Sequence, residues 1–343
     1  MLIIFILTLL VSGCSSKSNS SADGNSDSGE STEEKVVEIK VGHVGAPVSP
    51  QQGAADIFVD LVNEKTNGSV KIKIYNSSQL GDERELVEGI QMGTVDGGII
   101  SSGLFASSYN VMAAFEVPFL FNDSEHALKV NTGEIGDNVL ETLSSKGNLK
   151  ALSIWDHGFR QITNSKHPIK EPKDLKDLKV RSPEVPSYSV ALEALGATPI
   201  PMAFTELYVA LDRGVVDGQH NPLMHVEGQR FFEVQKYMSV IDFAYTPNIL
   251  AFSNKIWGEL SEDQQKALNE AAKETAQLWS KQSAKESEEL LNGLKDKMEV
   301  LTEEDVDRDA FVKVVVEEGY PQYQKEFGDE FVEFLKSVQK AGE

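Results

Sequence analysis

Residues 36–75 read VVEIKVGHVGAPVSPQQGAADIFVDLVNEKTNGSVKIKIY. The two ends of this stretch, residues 36–43 and Val70–Tyr75, alternate apolar and polar side chains, the period of a strand with one buried face. Between them Ala54, Ile57, Phe58, Leu61 and Val62 recur at helical spacing, which predicts an amphipathic helix ending near Asn67-Gly68. Asp82 and Glu85 then form a capping-box pattern ahead of a helix over Glu83–Met92. Residues 95–100 make a third, more buried strand. This β-α-β-α-β order predicts an α/β fold with a mostly parallel sheet flanked by helices.

Further along, residues 149–155, 161–164 and 178–181 are expected as strands, with helices near 187–195 and 204–213. The C-terminal third differs. Ser261 and Gln264 cap a helical stretch running to about Lys297, with Ala267, Leu268, Ala271, Ala272, Leu278 and Trp279 as its apolar stripe. At 1.5 Å per residue it approaches about 55 Å, so it is expected to brace more than one lobe, with Gly293 as its candidate break. A chain of 343 residues that is 40% apolar has enough core for two lobes.

Residues 2–11, LIIFILTLLV, are too few to span a bilayer as a helix and suit the apolar region of a signal peptide. Val11-Ser12-Gly13-Cys14 has the form of a lipobox, in which small residues precede a cysteine that is lipidated and becomes the N-terminus. The alternative is an ordinary signal peptide with an incidental cysteine. Cys14 is the single cysteine of the chain, so no intrachain disulfide forms. Residues 15–34, SSKSNSSADGNSDSGESTEE, cannot bury surface and read as a flexible polar tether. Together these features predict an extracytoplasmic folded part, lipid-anchored to the membrane. No second long apolar segment follows.

The chain has 54 acidic and 32 basic residues, a formal charge of −22. Such a surface repels phosphate backbones, which argues against nucleic-acid partners, and an anionic ligand needs a local cationic site. Enzymatic readings lack their residues. There is no phosphate-binding G-x-x-x-x-G-K-[ST] loop and no G-x-S-x-G elbow, and the six histidines (His43, His126, His157, His167, His220 and His225) make no recognised metal-ligand spacing. No catalytic residue, metal or cofactor is expected.

What remains lies between residues 155 and 222. Trp155-Asp156-His157-Gly158-Phe159-Arg160 leads into Gln161-Ile162-Thr163, and residues 174–183, DLKDLKVRSP, deliver Arg181 at the end of a short strand. Pro183 holds Ser182 extended and stops the strand. Ligand crevices form at that edge of α/β sheets. Arginine suits the task because its planar fork gives two parallel bonds to a carboxylate and keeps its charge. Arg181 is therefore the candidate carboxylate-binding residue, the alternative being an ion pair with a neighbour such as Glu184. Two further segments follow, PMAFTELY (201–208) and ALDRGVVDGQHNP (210–222).

These segments, with QLGDER (79–84), GTVD (93–96) and VPF (117–119), run in an order that resembles the solute receptors of tripartite ATP-independent periplasmic (TRAP) transporters, the DctP-like family. The resemblance covers nearly all of residues 37–340. It implies two periplasmic-binding-protein-like lobes joined by a hinge and crossed by a long helix, with ligand held in the cleft: residues 36–157 and 247–286 in one lobe, 158–246 and 287–343 in the other. It also implies that Arg181 pairs with a ligand carboxylate. Arg160 matches a second ligand-facing arginine, or a strut that orients Arg181. Asn221 matches an amide that contacts ligand, or a turn-capping Asn before Pro222. Phe204 matches an aromatic that packs on ligand, or plain core. Glu83 lies at the mouth of the other lobe as an acceptor for hydroxyls, or as a first-turn helix acid. His43, Trp155 and His220 add donors, acceptors and a flat face. Two departures affect the cleft: His220 stands where many relatives carry Glu, and Val44, like Ser101, occupies a position that can be a polar ligand contact in relatives. Asp177 replaces the usual Gly and tolerates a left-handed turn. The implied function is capture of a small organic acid, a uronate or aldonate first and a C4-dicarboxylate second, for delivery to the integral membrane subunits of a TRAP transporter. Competing readings are a receptor for an ATP-driven transporter, a ligand-sensing receptor for a signalling partner and, more weakly, a secreted hydrolase.

Overall fold

The computed structural model describes residues 36–343; the signal segment, Cys14 and the tether lie outside the described residues. Nine strands form one mixed sheet: β1 (Val37–Gly42), β2 (Val70–Tyr75), β3 (Gly97–Ser101), β4 (Leu149–Asn164), β5 (Lys179–Ser182), β6 (Thr198–Pro201), β7 (Gly218–Pro222), β8 (Tyr237–Ser253) and β9 (Glu299–Leu301). Their order is β2-β1-β3-β8-β4-β7-β5-β6, with β9 paired to β8.

The opening stretch folds as its periodicity dictates. In β1, Val37, Ile39 and Val41 are buried while Glu38 and Lys40 are exposed. It pairs in parallel with β2, Val37 opposite Val70 through Gly42 opposite Tyr75, and with β3. The helix Pro50–Lys65 covers this sheet with Ala54, Ala55, Phe58 and Val62. Ser49 Oγ accepts from Gln52 N at its start, and proline at the first helical position wastes no donor. The chain leaves through Asn67 and Gly68, both at positive φ, a backbone region open to those two residue types. At Glu83–Met92 both capping-box bonds are present, Glu85 N to Asp82 Oδ1 and Asp82 N to Glu85 Oε2, each 2.9 Å. Asp177 takes the left-handed turn with φ 63°.

Two long strands depart from the sequence expectation. Residues 149–155 and 161–164 are parts of one 16-residue strand, β4, and the 17-residue β8 was not anticipated at all. Both are buried along nearly their whole length. A strand buried on both faces shows no alternation, so the period-two signal vanishes. β4 and β8 run antiparallel beside each other with register shifts at Ala151/Ser153, Asp156/Gly158 and Arg160/Ile162. Gly158 has φ 100° at the central shift. The C-terminal part of β8 pairs with β3, and the C-terminal part of β4 pairs with β7.

The long helix spans Glu262–Leu294, 33 residues or about 50 Å, and continues through Gly293. The Ser261–Gln264 capping box is formed. Ala267, Leu268, Ala271, Ala272 and Trp279 are buried, but Leu278 is 45% exposed, because it sits one position, or about 100° of helix rotation, away from Trp279. The helix packs on Pro50–Lys65, on β4 and on the short helix Leu223–Gly228. It is pinned to β4 by two indole donors: Trp155 Nε1 to Ala272 O (2.9 Å) and Trp279 Nε1 to Asp156 O (2.8 Å). No helix among the described residues is long and apolar enough to cross a membrane.

A Cβ built on Gly53 lies 2.3 Å from the Trp279 ring. Helix propensity alone makes Gly53→Ala stabilising by about 1 kcal/mol. The contact reverses the sign, because the ring is buried and rigid, and Gly53→Ala is expected to cost about 1–3 kcal/mol in chemical denaturation. A raised midpoint would show that the helix–helix approach is looser than described.

Candidate ligand-binding site

Arg181 stands where its sequence placed it, at the C-terminal end of β5, and is buried. Its Nε and Nη2 donate to the Met202 carbonyl at 3.2 and 2.8 Å. Nη1 is buried without a partner. The Phe204 ring lies 5.9 Å from the guanidinium, within cation–π range. Glu184 pairs with Arg84 instead, at 2.9 Å, so no ion pair with Glu184 holds Arg181. Burial, reinforced by the nearby Arg160 charge, pushes Arg181 down to about 9. It stays a cation at neutral pH, with one arm of its fork unengaged.

Arg160, on β4, is a hub. Its Nε donates to His220 Nδ1 (2.8 Å), Nη1 to Thr246 Oγ1 (3.2 Å), and Nη2 to both the His220 carbonyl (2.6 Å) and Asn221 Oδ1 (2.8 Å). That is four bonds from a group with five N–H donors. Arg160 therefore orients Asn221 and His220 rather than Arg181. Asn221 also donates to Gln219 Oε1; its side chain caps no helix, the cap residue of Leu223–Gly228 being Pro222. Tyr188 stacks near Arg160 and meets Thr246 Oγ1 at 3.0 Å. Behind these residues, buried Glu116 accepts from Ser102 Oγ (2.9 Å) and Gly103 N (2.6 Å); burial raises its pKa against the pull of Arg160.

From the other side of the cleft, Glu83 opens the helix Glu83–Met92 and accepts from both Ser101 N and Ser101 Oγ at 2.8 Å. Burial raises its pKa, opposed by Ser101 and Arg181. Glu83, Ser101, Val44 and Gln51 meet Arg160, Arg181, Phe204 and Asn221 around one small closed slot, about 20 Å³, with His157 and His225 in the same wall. On the order of one water fits such a space, so a ligand must part the two walls to enter. A larger, open depression of about 590 Å³ near Phe232, Lys236 and Lys297 shares no lining residue with the slot.

The structure brings together five of the expected residues: Arg181, Arg160, Asn221, Phe204 and Glu83. It does not bring Trp155, His43 and His220 into the slot lining. Trp155 lies in the apolar core against Phe58, ring centroids 5.4 Å apart, and its one donor is taken by Ala272. His43 turns its Nε2 to Gln52 Oε1 at 3.2 Å. His220 alternates to the opposite side of β7 from Asn221, between Tyr188 and Phe243, with centroids at 4.6 and 5.0 Å. It meets Arg160 as a neutral acceptor through Nδ1. Three lining residues escaped the sequence reading: Gln51, His157 and His225. The two histidines approach Nε2 to Nε2 at 2.6 Å, a contact between residues 68 apart that no local pattern reveals.

The family model of the bacterial extracellular solute-binding proteins, family 7 (DctP), matches residues 41–326. The 2,3-diketo-L-gulonate-binding periplasmic protein YiaO of Escherichia coli K12 is 37% identical over 274 residues, 80% of this chain and 83% of that one. The C4-dicarboxylate-binding periplasmic protein DctP of Rhodobacter capsulatus is 34% identical over 259 residues, 75% of this chain and 77% of its own. The crystal structure of a TRAP periplasmic solute-binding protein from Polaromonas sp. JS666, bound to D-erythronate, superposes with a TM-score of 0.82 at 34% identity and covers 88% of this chain and 98% of that one. The architecture described above is the two-lobed α/β fold of such proteins.

Burial holds His43 at about 4 and, helped by Arg160, His225 at about 3, with His157 and His220 also well below the usual range. Each is protonated more readily when unfolded, so each contributes stability that is present above pH ~6.5 and lost as pH falls toward the folded value. Glu83, Glu116 and Asp156 are shifted upward by burial and act with the opposite sign. His43→Asn isolates one histidine contribution. The slope of unfolding free energy against pH between about 6.5 and 4 should shrink by up to about 1.4 kcal/mol per pH unit. An unchanged slope would mean that His43 protonates freely in the folded state.

Proposed function

Because the chain belongs to family 7 of the bacterial extracellular solute-binding proteins, we propose that it captures a small organic acid outside the cytoplasmic membrane and delivers it to the integral membrane subunits of a TRAP transporter, without catalysing a reaction on it. The observation that carries this reading is the unpartnered, buried Nη1 of Arg181 in a slot closed by groups from both sides of the molecule. A carboxylate oxygen is the complement of that donor.

In this reading the lobes comprise residues 36–157 with 247–286, and 158–246 with 287–343. The chain crosses three times: at the Asp156/Gly158 register shift, at Thr246-Pro247, which faces it, and at Glu286-Ser287 within the long helix Glu262–Leu294. The ligand stabilises the closed form because its carboxylate reaches Arg181 while the rest of the molecule reaches the first lobe, a contact set available only after closure. The lipobox at Val11-Ser12-Gly13-Cys14 and the polar segment after it support a lipid anchor that keeps the receptor near the membrane.

A sugar acid such as a uronate or aldonate is favoured over a C4-dicarboxylate. Among the described residues lining the slot, Arg160 is the second cation, and it already makes four hydrogen bonds within the protein. Gln51, Ser101, Asn221, His157 and His225 are neutral partners suited to hydroxyls. The relatives named for 2,3-diketo-L-gulonate and D-erythronate agree with this. The dicarboxylate alternative has in its favour the nearness of two arginines, which raises the local potential, and the relative named for C4-dicarboxylate binding.

Thermal-shift and calorimetric titration with D-galactonate, D-glucuronate, succinate and L-malate should show stabilisation by sugar acids, and weaker or no response to the dicarboxylates. Stabilisation solely by neutral sugars or amino acids would sink the carboxylate reading. Arg181→Ala should retain the fold and lose roughly 100-fold or more in affinity, the cost of stranding a desolvated carboxylate being about 3–5 kcal/mol. Unchanged affinity would move the site elsewhere.

A further inference from the structure

We propose that Gln51, with the His157–His225 pair, is the hydroxyl-reading part of the cleft, and that it makes the receptor selective for a monocarboxylate bearing a hydroxyl group over an acid that lacks one. The inference rests on the proposed capture of a carboxylate by Arg181 and extends it to the other end of the ligand.

Gln51 is the second residue of the helix Pro50–Lys65 and is fully buried. Neither Nε2 nor Oε1 of its amide has a partner, although its neighbours along the helix are engaged: Ser49 Oγ caps the helix and Gln52 joins His43, Asn76 and Asp56. Buried amides are hydrogen-bonded as a rule, and an exception asks for an explanation. Gln51 lines the same slot as Arg181, whose Nη1 is likewise an unpartnered donor. Gly45 leaves the space that the amide occupies, since a Cβ added there would lie 2.7 Å from Gln51 Oε1.

The histidine pair adds the second half of the argument. Its Nε2···Nε2 hydrogen bond of 2.6 Å requires one ring to carry the proton on Nε2 and the other to present a lone pair there. The first ring then has a bare Nδ1 acceptor and the second an Nδ1–H donor. Both Nδ1 atoms are buried and unpartnered, and both rings line the slot. The pair and the Gln51 amide therefore each offer both donor and acceptor capacity without net charge. A hydroxyl group has that same dual character. An ammonium only donates and a carboxylate only accepts, so neither satisfies this wall.

Calorimetry on the full folded chain would use D-galactonate, D-glucuronate, succinate and hexanoate, a carboxylate without hydroxyls, against the parent protein, Gln51→Leu, Gln51→Glu and Arg181→Ala. In the parent protein the hydroxylated acids bind and hexanoate binds at least about tenfold more weakly, the worth of one well-formed hydrogen bond. Gln51→Leu lowers affinity for the hydroxylated acids about tenfold and narrows their advantage over hexanoate, while its melting temperature without ligand is maintained, since an apolar side chain replaces an unsatisfied amide. Gln51→Glu, which keeps the shape but loses the donor, weakens the hydroxylated acids as well. If Arg181→Ala abolishes binding but Gln51→Leu leaves both affinity and discrimination unchanged, the hydroxyl subsite is wrong and carboxylate capture stands. If none of the acids binds the parent protein, or Arg181→Ala binds as the parent does, the carboxylate reading falls and this inference falls with it.

Discussion

The antiparallel pairing of β4 with β8 is the constraint on which the rest of the structure depends. The two strands are the longest in the sheet and pair from Leu149 opposite Ser253 to Asn164 opposite Tyr237. β3 joins one end of this pair, while β7 and β9 join the other. Every strand-to-strand path between the two halves of the molecule passes through it. The three register shifts tolerated along it introduce local bends. They also aim side chains: Arg160 lies at one shift and His157 at another, and Thr246 faces Gly158 from β8. The long helix Glu262–Leu294 reinforces the pairing from outside through the indole donors of Trp155 and Trp279.

A second consequence is electrostatic. The strand pair carries Arg160 into the interior, and β5 carries Arg181 beside it, in a chain whose formal charge is −22. Burying two like charges near each other is costly unless their hydrogen bonds are met. Arg160 meets them within the protein, on His220, Asn221 and Thr246. Arg181 meets only part of its capacity, on one carbonyl. The carboxylates nearby, Glu83 and Glu116, are bound to serine and backbone donors rather than to the arginines. Division of labour between the two arginines follows from those partner sets: one organises the wall of the slot, the other keeps an unengaged donor. The same burial keeps the surrounding histidines uncharged, so they act as hydrogen-bonding groups and not as extra cations.

Local pattern carried much of the architecture. Alternation in β1 and β2, the helical stripe of Ala54, Phe58 and Val62, and the capping boxes at Asp82 and Ser261 are all properties of short windows, and the structure contains them where the windows placed them. Arg181 was legible for the same reason: a short strand, a following proline and a residue type with one outstanding chemical talent. Trp155 misled because a large aromatic near a run of polar residues reads as a recognition surface, whereas its apolar ring found the core beside Phe58. β8 left no trace because both of its faces are covered.

By itself, then, the sequence determined the α/β class, the positions of the elements whose one face meets solvent, and the strand-end arginine, since each depends on residues within a turn or a strand of one another. The tertiary structure alone decided which polar groups share the slot. His157 and His225 are 68 residues apart, and Arg160 and Thr246 are 86 apart, while Gln51 comes from a helix more than a hundred residues before Arg181. Their partnership arises from strand pairing and the packing of distant segments, long-range events that hydrophobic periodicity does not encode. Whether an amide or imidazole ends with or without a partner is settled only when every buried donor and acceptor has been placed.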